Sequence, residues 1–172
     1  AVQLGDLDAG ARWAEARGLS ADDELGYLRE FEHLTLARLL LARGSSPEVE
    51  QATGLLRRLL TAADVGHRAG SAIEILVASA LAEHSAGREA DARAAMADAL
   101  RRAEPEGYVR TFLDAGPGAV ALLRSLAEAA AGEVDASTAA RAARLLASSA
   151  AAPTEVASRA RVSGPQELSE RE

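Results

Sequence analysis

The chain has 172 residues and a formal net charge of −7, and only 3% of its residues are aromatic. Strands favour the aromatic and β-branched residues that are scarce here, whereas the abundant Ala, Leu, Arg and Glu favour helices, so the composition predicts an all-α protein. The acidic charge argues against direct nucleic-acid binding by this segment, and the absence of cysteine excludes disulfides, thiolate metal sites and cysteine nucleophiles.

Glycines divide the chain into segments of helical length, and several lie where a C-terminal cap is expected. Together with the apolar spacing they predict helices at 6–17, 25–43, 48–65, 70–86, 88–104, 107–114, 117–131 and 136–151. Asp22, Asp23 and Glu24 follow Ser20, a pattern typical of a helix N-terminus, where acidic side chains offset the positive end of the helix dipole. We therefore expect the second helix to begin there.

The third and fifth predicted helices carry the same apolar stripe, displaced by 40 residues. The corresponding positions are Ala52 and Ala92, Leu55 and Ala95, Leu56 and Met96, Leu59 and Ala99, Leu60 and Leu100, and Ala63 and Ala103. Their i, i+3, i+4 spacing puts each set on one face of its helix. Matching phase in two helices indicates an internal repeat.

The second and fourth predicted helices are apolar nearly all round, at Leu34–Leu41 and at Ile73–Leu81. Such helices must be covered on more than one side, and their alternation with one-faced helices is what stacked helix pairs require. We therefore predict a right-handed superhelix of antiparallel helix pairs. Gly87, Ala92 and Ala99, followed by Pro105, approximate the small-residue pattern of a tetratricopeptide repeat.

Three regions follow from these patterns. We expect tetratricopeptide-like repeats over 1–131, an additional C-terminal helix over 132–152, and a linker with the start of another domain over 153–172. Ser163-Gly164-Pro165 is typical of a linker. Ser169 and Glu172 match a capping box, which marks either the start of a further helix or a polar tail that happens to contain the pattern.

Four segments, in order, resemble signatures of one family: Glu30–Arg38, Ile73–Val77, Glu104–Asp114 and Leu168–Glu172. They are similar to segments of the large ATP-binding LuxR-type transcriptional regulators of the MalT-like group. The resemblance implies an N-terminal ATP-binding module, a helical sensor superhelix, and a C-terminal helix-turn-helix that binds DNA. This chain would cover the end of the superhelix and the first residues of the helix-turn-helix. Ala115 departs from the family, which often has Glu there, so a role for an acidic pair cannot be transferred.

No motif for catalysis or for a cofactor occurs. The sequence has no phosphate-binding G-x-x-x-x-G-K-[ST] loop and no G-x-S-x-G nucleophile elbow, so ATP is expected to bind only in the parent protein's N-terminal module, outside this chain. His33, His67 and His84 lack partners at metal-ligand spacing. We predict no catalytic residue, no metal site and no enzymatic activity.

The candidate binding residues are Glu30, Arg38, Glu74, Trp13 and Tyr27. Arg38 and Glu74 lie on the two broadly apolar helices, where an unpaired charge would be costly, so we expect them within contact distance. They would form either a salt bridge that fixes the stacking or, with Glu30, a ligand-binding inner surface. Trp13 and Tyr27 would either stack on a sugar or pack between helices.

Two functions remain open. The first, implied by the resemblance, is a cytoplasmic sensor domain that binds a small-molecule inducer or self-associates, and so controls an attached DNA-binding domain. The second is a protein-interaction scaffold without a small-molecule ligand. DNA would be contacted only through the missing helix-turn-helix, and no apolar run is long enough for a membrane span. An enclosed pocket would favour the sensor, whereas an open groove would favour the scaffold.

Overall fold

The computed structural model describes residues 7–104, 108–129 and 134–159, with side chains described as far as Ser149. This described part contains eight α-helices: α1 Leu7–Ala16, α2 Glu30–Arg43, α3 Ser46–Val65, α4 Ala69–Ser85, α5 Glu89–Arg102, α6 Val109–Leu113, α7 Pro117–Ala127 and α8 Ala136–Arg159. A short 3₁₀ helix, Tyr27–Arg29, precedes α2. The predicted all-α fold is confirmed. Within the described ranges, no helix combines the length and apolarity that a bilayer crossing requires.

The helices stack as consecutive pairs joined by short turns. Within the pairs α2 packs on α3, α4 on α5 and α7 on α8, and α3 also packs on α4. Helix α2 further contacts α4, and α4 contacts α7, whereas the described backbones of α3 and α5 stay further apart and these two helices meet through side chains such as Asp64 and Arg102. Because the α2 backbone approaches α4 and the α4 backbone approaches α7, whereas the backbones of α3 and α5 lie further apart, we assign α2, α4 and α7 to the inner side of a curved stack.

The repeated apolar stripe of α3 and α5 occupies corresponding environments, as predicted. Ala52, Leu56, Leu59 and Ala63 are buried in one hydrophobic core, and their counterparts 40 residues later are buried in the next. Two positions match less closely. Leu55 is buried but its counterpart Ala95 is only partly buried, and Leu60 packs against both cores whereas its counterpart Leu100 is buried in one. Ala92 and Ala99, the small residues of the repeat motif, are completely buried.

Helix α4 explains why a helix in this stack is apolar on most sides. Ile73 and Leu76 belong to the core formed with α5, α7 and α8, whereas Ala72 and Ile75 belong to the core formed with α2 and α3. One helix therefore contributes to two successive cores. Since neither core is complete without α4, the two repeats are expected to unfold together.

The turns after α3 and α4 have the same backbone geometry. The Arg68 and Arg88 N–H groups donate to carbonyls five residues earlier, at Ala63 and Glu83, with lengths of 2.9 Å in both cases. This is the Schellman arrangement, which places the preceding residue in the left-handed region. Gly87 takes that position after α4 with φ 74°, but His67 takes it after α3 with φ 52°. His67 is the only non-glycine residue with positive φ among those described.

The start of α2 differs from the prediction. Helix α2 begins at Glu30 rather than near residue 25, and residues 21–23 form a turn, so the prediction that Asp22, Asp23 and Glu24 open a helix is wrong. The reason lies in long-range bonds. Asp23 accepts from the Ser20 N–H and approaches His33, and Arg58 of α3 donates to the Ala21 carbonyl oxygen. These contacts hold the segment across α3.

Helix α8 begins with a strong N-cap and runs further than predicted. The Asp135 carboxylate accepts from the Ser137 hydroxyl and from both the N–H and the hydroxyl of Thr138, and these bonds lower the pKa of Asp135 well below its ordinary value. The helix continues to Arg159, beyond the expected end near residue 151. Alanine-rich sequence favours this continuation even though Pro153 lacks an N–H. Pro105, the expected linker at Ser163–Pro165 and the capping box lie outside the described residues.

Candidate functional site

Arg38 of α2 and Glu74 of α4 form the ion pair that the sequence predicts. The Arg38 Nη2 and Glu74 Oε2 atoms are 3.3 Å apart, so the expected contact is confirmed. The expected burial is wrong, because each side chain is 46% exposed. Both residues lie where α2 contacts α4, and about half of each side chain is open to solvent in the described part of the chain. Solvent screening at such exposure leaves an ion pair little net stabilising effect.

Glu30 lies apart from that pair. It accepts from Arg68, with the Glu30 Oε2 atom 3.0 Å from Nε and 2.5 Å from Nη2, and the two side chains are only 13% and 23% exposed. The Arg68 guanidinium also lies 5.4 Å from the centre of the Tyr27 ring, within cation–π range. Glu30 and Arg68 therefore tie the start of α2 to the start of α4.

The two aromatic candidates have different environments. Trp13 is partly buried and packs against the core formed with α2 and α3. Tyr27 is 70% exposed, next to Leu28 at 91% and Phe31 at 70%. Sequence reasoning missed Leu28 and Phe31. A usable signal exists for Phe31, because it precedes Arg38 by seven residues and therefore shares the exposed stripe of α2.

We define the α2–α4 face as Tyr27, Leu28, Phe31, Arg38 and Glu74. It combines three exposed apolar side chains with one half-exposed charge of each sign. Among the described residues, Val65 at the end of α3 is the only other large hydrophobic residue that is highly exposed. Exposed apolar side chains that cluster in this way mark surfaces that other molecules cover.

A second feature missed from sequence is a series of bridges between successive repeats. Besides Glu30–Arg68, Glu50 pairs with Arg88 at 2.7 Å and Asp64 with Arg102 at 2.5 Å, and each pair is separated by 38 residues. Arg102 donates to Asp64, and this bond raises the pKa of Arg102; Arg88 donates to Glu83 and to Glu50, and both bonds raise its pKa, the Glu83 bond more than the Glu50 bond. Arg68 and Arg88 hold the same position in two equivalent turns, and that recurrence is the signal that could have revealed the series.

Buried His33 links α2 to the segment that precedes it. Its Nδ1 atom lies 3.0 Å from the Arg29 carbonyl oxygen and its Nε2 atom 3.3 Å from Asp23 Oδ2. The Ser20 N–H and the His33 ring lower the pKa of Asp23, and the backbone bond is the larger cause. No third ligand-type side chain joins them, and the described residues contain no group of three or more His, Asp or Glu that could hold a metal ion. His33 therefore ties α2 to the segment that carries Asp23.

Two of the clefts on the described surface are half-open. The larger, about 480 Å³, lies between α3 and the segment before α2. Its lining residues are Ala21, Asp22, Pro47, Glu50, Gln51, Gly54, Leu55, Arg57 and Arg58. The smaller, about 240 Å³, lies between α6 and α8. None of the predicted binding residues lines either cleft.

Stacked helix pairs with a matched apolar repeat define a tetratricopeptide-like repeat protein. The family described as the MalT-like TPR region matches residues 1–129, and the chain belongs to that family. No curated protein and no solved structure matches the chain.

Proposed function

We propose that this chain is the regulatory repeat segment of a MalT-like LuxR-type transcriptional regulator, and that it self-associates through the α2–α4 face. Family membership supports the regulatory role. The observation that carries the self-association is the exposure of Tyr27, Leu28 and Phe31 at the start of α2, two helical turns before a half-exposed ion pair. ATP binding and DNA binding belong, in this proposal, to modules of the parent protein outside the chain.

The α2–α4 face suits a second copy of the same chain. In a two-fold interface the same patch meets itself, so it must be self-complementary. Arg38 and Glu74 supply one positive and one negative charge, and each can pair with its opposite across a two-fold axis. The exposed rings then pack against each other instead of water. The face is smaller than the roughly 20–30 residues per side of a stable interface, so we expect weak association.

Sedimentation velocity over a range of concentrations tests this proposal. The chain should show a concentration-dependent dimer, and the double substitution Tyr27→Ser and Phe31→Ser should shift it to monomer. Both side chains are exposed, so the substitutions should preserve the helical circular dichroism spectrum. Val65→Ser is the matched control, since Val65 is 77% exposed on α3, outside the face. A monomer at every concentration, or equal effects of the double variant and the control, would refute the proposal.

A second candidate is binding of a small-molecule inducer in the 480 Å³ cleft. The cleft volume lies within the usual range for ligand sites, about 300–1,000 Å³, and its lining carries Asp22, Glu50, Gln51 and Arg57. Such a lining suits a polar molecule with several donors and acceptors. It is less enclosed than a sensor pocket usually is, which is why we rank it second.

Calorimetric titration with a panel of sugars and polar metabolites tests the second candidate. A β-carbon at Gly54 would meet no atom within 4 Å, so Gly54→Leu should project into the cleft without disturbing the fold, and Gly54→Ala is its control. We expect one class of compound to bind the chain and the alanine variant, but not the leucine variant. Silence across the panel, or equal binding by all three proteins, would rule this candidate out.

A further inference from the structure

The 240 Å³ cleft between α6 and α8 has an apolar floor. Phe112 of α6 is 1% exposed and Leu145 of α8 is buried, and both line the cleft. Val109 and the Tyr108 ring continue the apolar lining, and Ser148 lies one turn beyond Leu145. The volume is close to the lower limit for small-molecule sites, about 300 Å³, so the cleft suits a ligand with only a short hydrocarbon part.

The charge of this cleft opposes that of the whole chain. Its two charged lining residues, Arg141 and Arg144, are both basic, although the net charge of the chain is −7. Arg141 is already engaged, because its Nη1 atom lies 3.0 Å from Glu104 Oε1 and Nη2 donates to the Ala103 carbonyl oxygen at 2.7 Å. Arg144 is exposed, and it forms no ion pair with any described residue.

We infer that this cleft binds a small apolar carboxylate, such as a short-chain fatty acid or an aromatic acid. The hydrocarbon part would lie on Phe112 and Leu145, and the carboxylate would accept hydrogen bonds from the Arg144 guanidinium. Arginine is suited to this task because its planar group can donate two parallel hydrogen bonds to one carboxylate. The apolar floor selects against inorganic anions, which have no hydrocarbon part to bury.

Such a ligand would bridge two helices. Helices α6 and α8 already contact each other, and the cleft lies along their contact. A molecule that binds the folded protein and not the unfolded chain stabilises the fold by mass action. The acid should therefore raise the melting temperature of the chain. This inference does not depend on self-association, since the cleft and the α2–α4 face share no residue.

Comparing hexanoate with hexanol, its neutral counterpart of similar length, provides the test. We expect hexanoate to bind the 172-residue chain about tenfold more tightly in NMR titration, the ratio that one favourable charged contact gives. Arg144→Gln should remove the preference for the acid. Arg124→Gln, on an exposed arginine of α7 outside the cleft, should keep it. Ser148→Leu, which fills the cleft rim, should weaken both ligands.

Three outcomes would overturn the inference. The first is binding of neither compound at millimolar concentration. The second is equal affinity for acid and alcohol, and the third is an unchanged preference in Arg144→Gln. Because Arg144 is exposed, its substitution should leave the fold intact, and circular dichroism checks this. Loss of dimer formation without loss of hexanoate binding would contradict the proposed self-association alone.

Discussion

Two ion pairs connect α2 to α4, and they differ mainly in burial. Glu30 and Arg68 are 13% and 23% exposed and share two hydrogen bonds, whereas Arg38 and Glu74 are each 46% exposed and share one at 3.3 Å. Burial reduces solvent screening, so the same charges interact more strongly at the first site. We therefore predict that Glu30–Arg68 fixes the position of α4 on α2 and that Arg38–Glu74 does not.

The magnitudes follow from exposure and geometry. A partly buried, doubly hydrogen-bonded arginine–carboxylate pair should show a coupling free energy of about 1–2 kcal/mol, near the value for hydrogen bonds to charged groups. The half-exposed Arg38–Glu74 pair should show ~0.5 kcal/mol or less. Loss of the Glu30–Arg68 coupling should therefore shift the folding equilibrium constant several times more than loss of the Arg38–Glu74 coupling.

Double-mutant cycles measured by urea unfolding give both couplings. Each cycle uses the glutamate-to-glutamine and arginine-to-glutamine substitutions, alone and together, so the two cycles are chemically matched. The Tyr27 ring contacts Arg68, so Tyr27→Ser added to the first cycle separates the cation–π contribution. Equal couplings in the two cycles, or a larger one at Arg38–Glu74, would refute the reasoning from burial.

Three further predictions concern stability. His67→Gly should raise the free energy of unfolding by about 0.5 kcal/mol, because His67 occupies the left-handed turn position that Gly87 fills without strain; a lower melting temperature would contradict this. Ile75→Ala should lower the free energy of unfolding by about 2–5 kcal/mol, because Ile75 is completely buried. The control Val65→Ala should change the free energy of unfolding by at most ~0.5 kcal/mol, because Val65 is exposed. Similar urea midpoints for the two variants would contradict this prediction. Folding lowers the pKa of Asp135, so the ionised side chain stabilises the fold above its unfolded pKa of about 4, and this effect is lost as the pH falls. The difference in melting temperature between the unaltered chain and Asp135→Ala should therefore shrink in acid. A difference that stays constant with pH would contradict this prediction.

The sequence predicted the helices and the repeat well, because apolar spacing within one helix is a local property. The stripe from Ala52 to Ala63 and its copy 40 residues later needed only the 3.6-residue period to be recognised. The contact between Arg38 and Glu74 followed from the adjacency of two broadly apolar helices. Their exposure did not follow, because it depends on the inner side of the stack remaining open.

The errors and omissions share a cause. Asp23 looked like part of a helix N-terminus because acidic residues favour that position, but its bonds run instead to Ser20 and His33. Likewise, the Glu50–Arg88 bridge depends on the relative position of residues 38 apart in successive repeats. Local patterns do not specify which distant side chain completes a contact, so such sites require the assembled fold.

The cysteine-free sequence allows a direct test of self-association through the α2–α4 face. A single Leu28→Cys substitution places one thiol on the face while keeping the Tyr27 and Phe31 rings, and Val65→Cys places one on α3, also highly exposed. Under mild oxidation we predict a disulfide-linked dimer of the Leu28→Cys variant at a rate well above that of the control. Equal rates for the two variants, or a dimer of the control alone, would contradict association through this face.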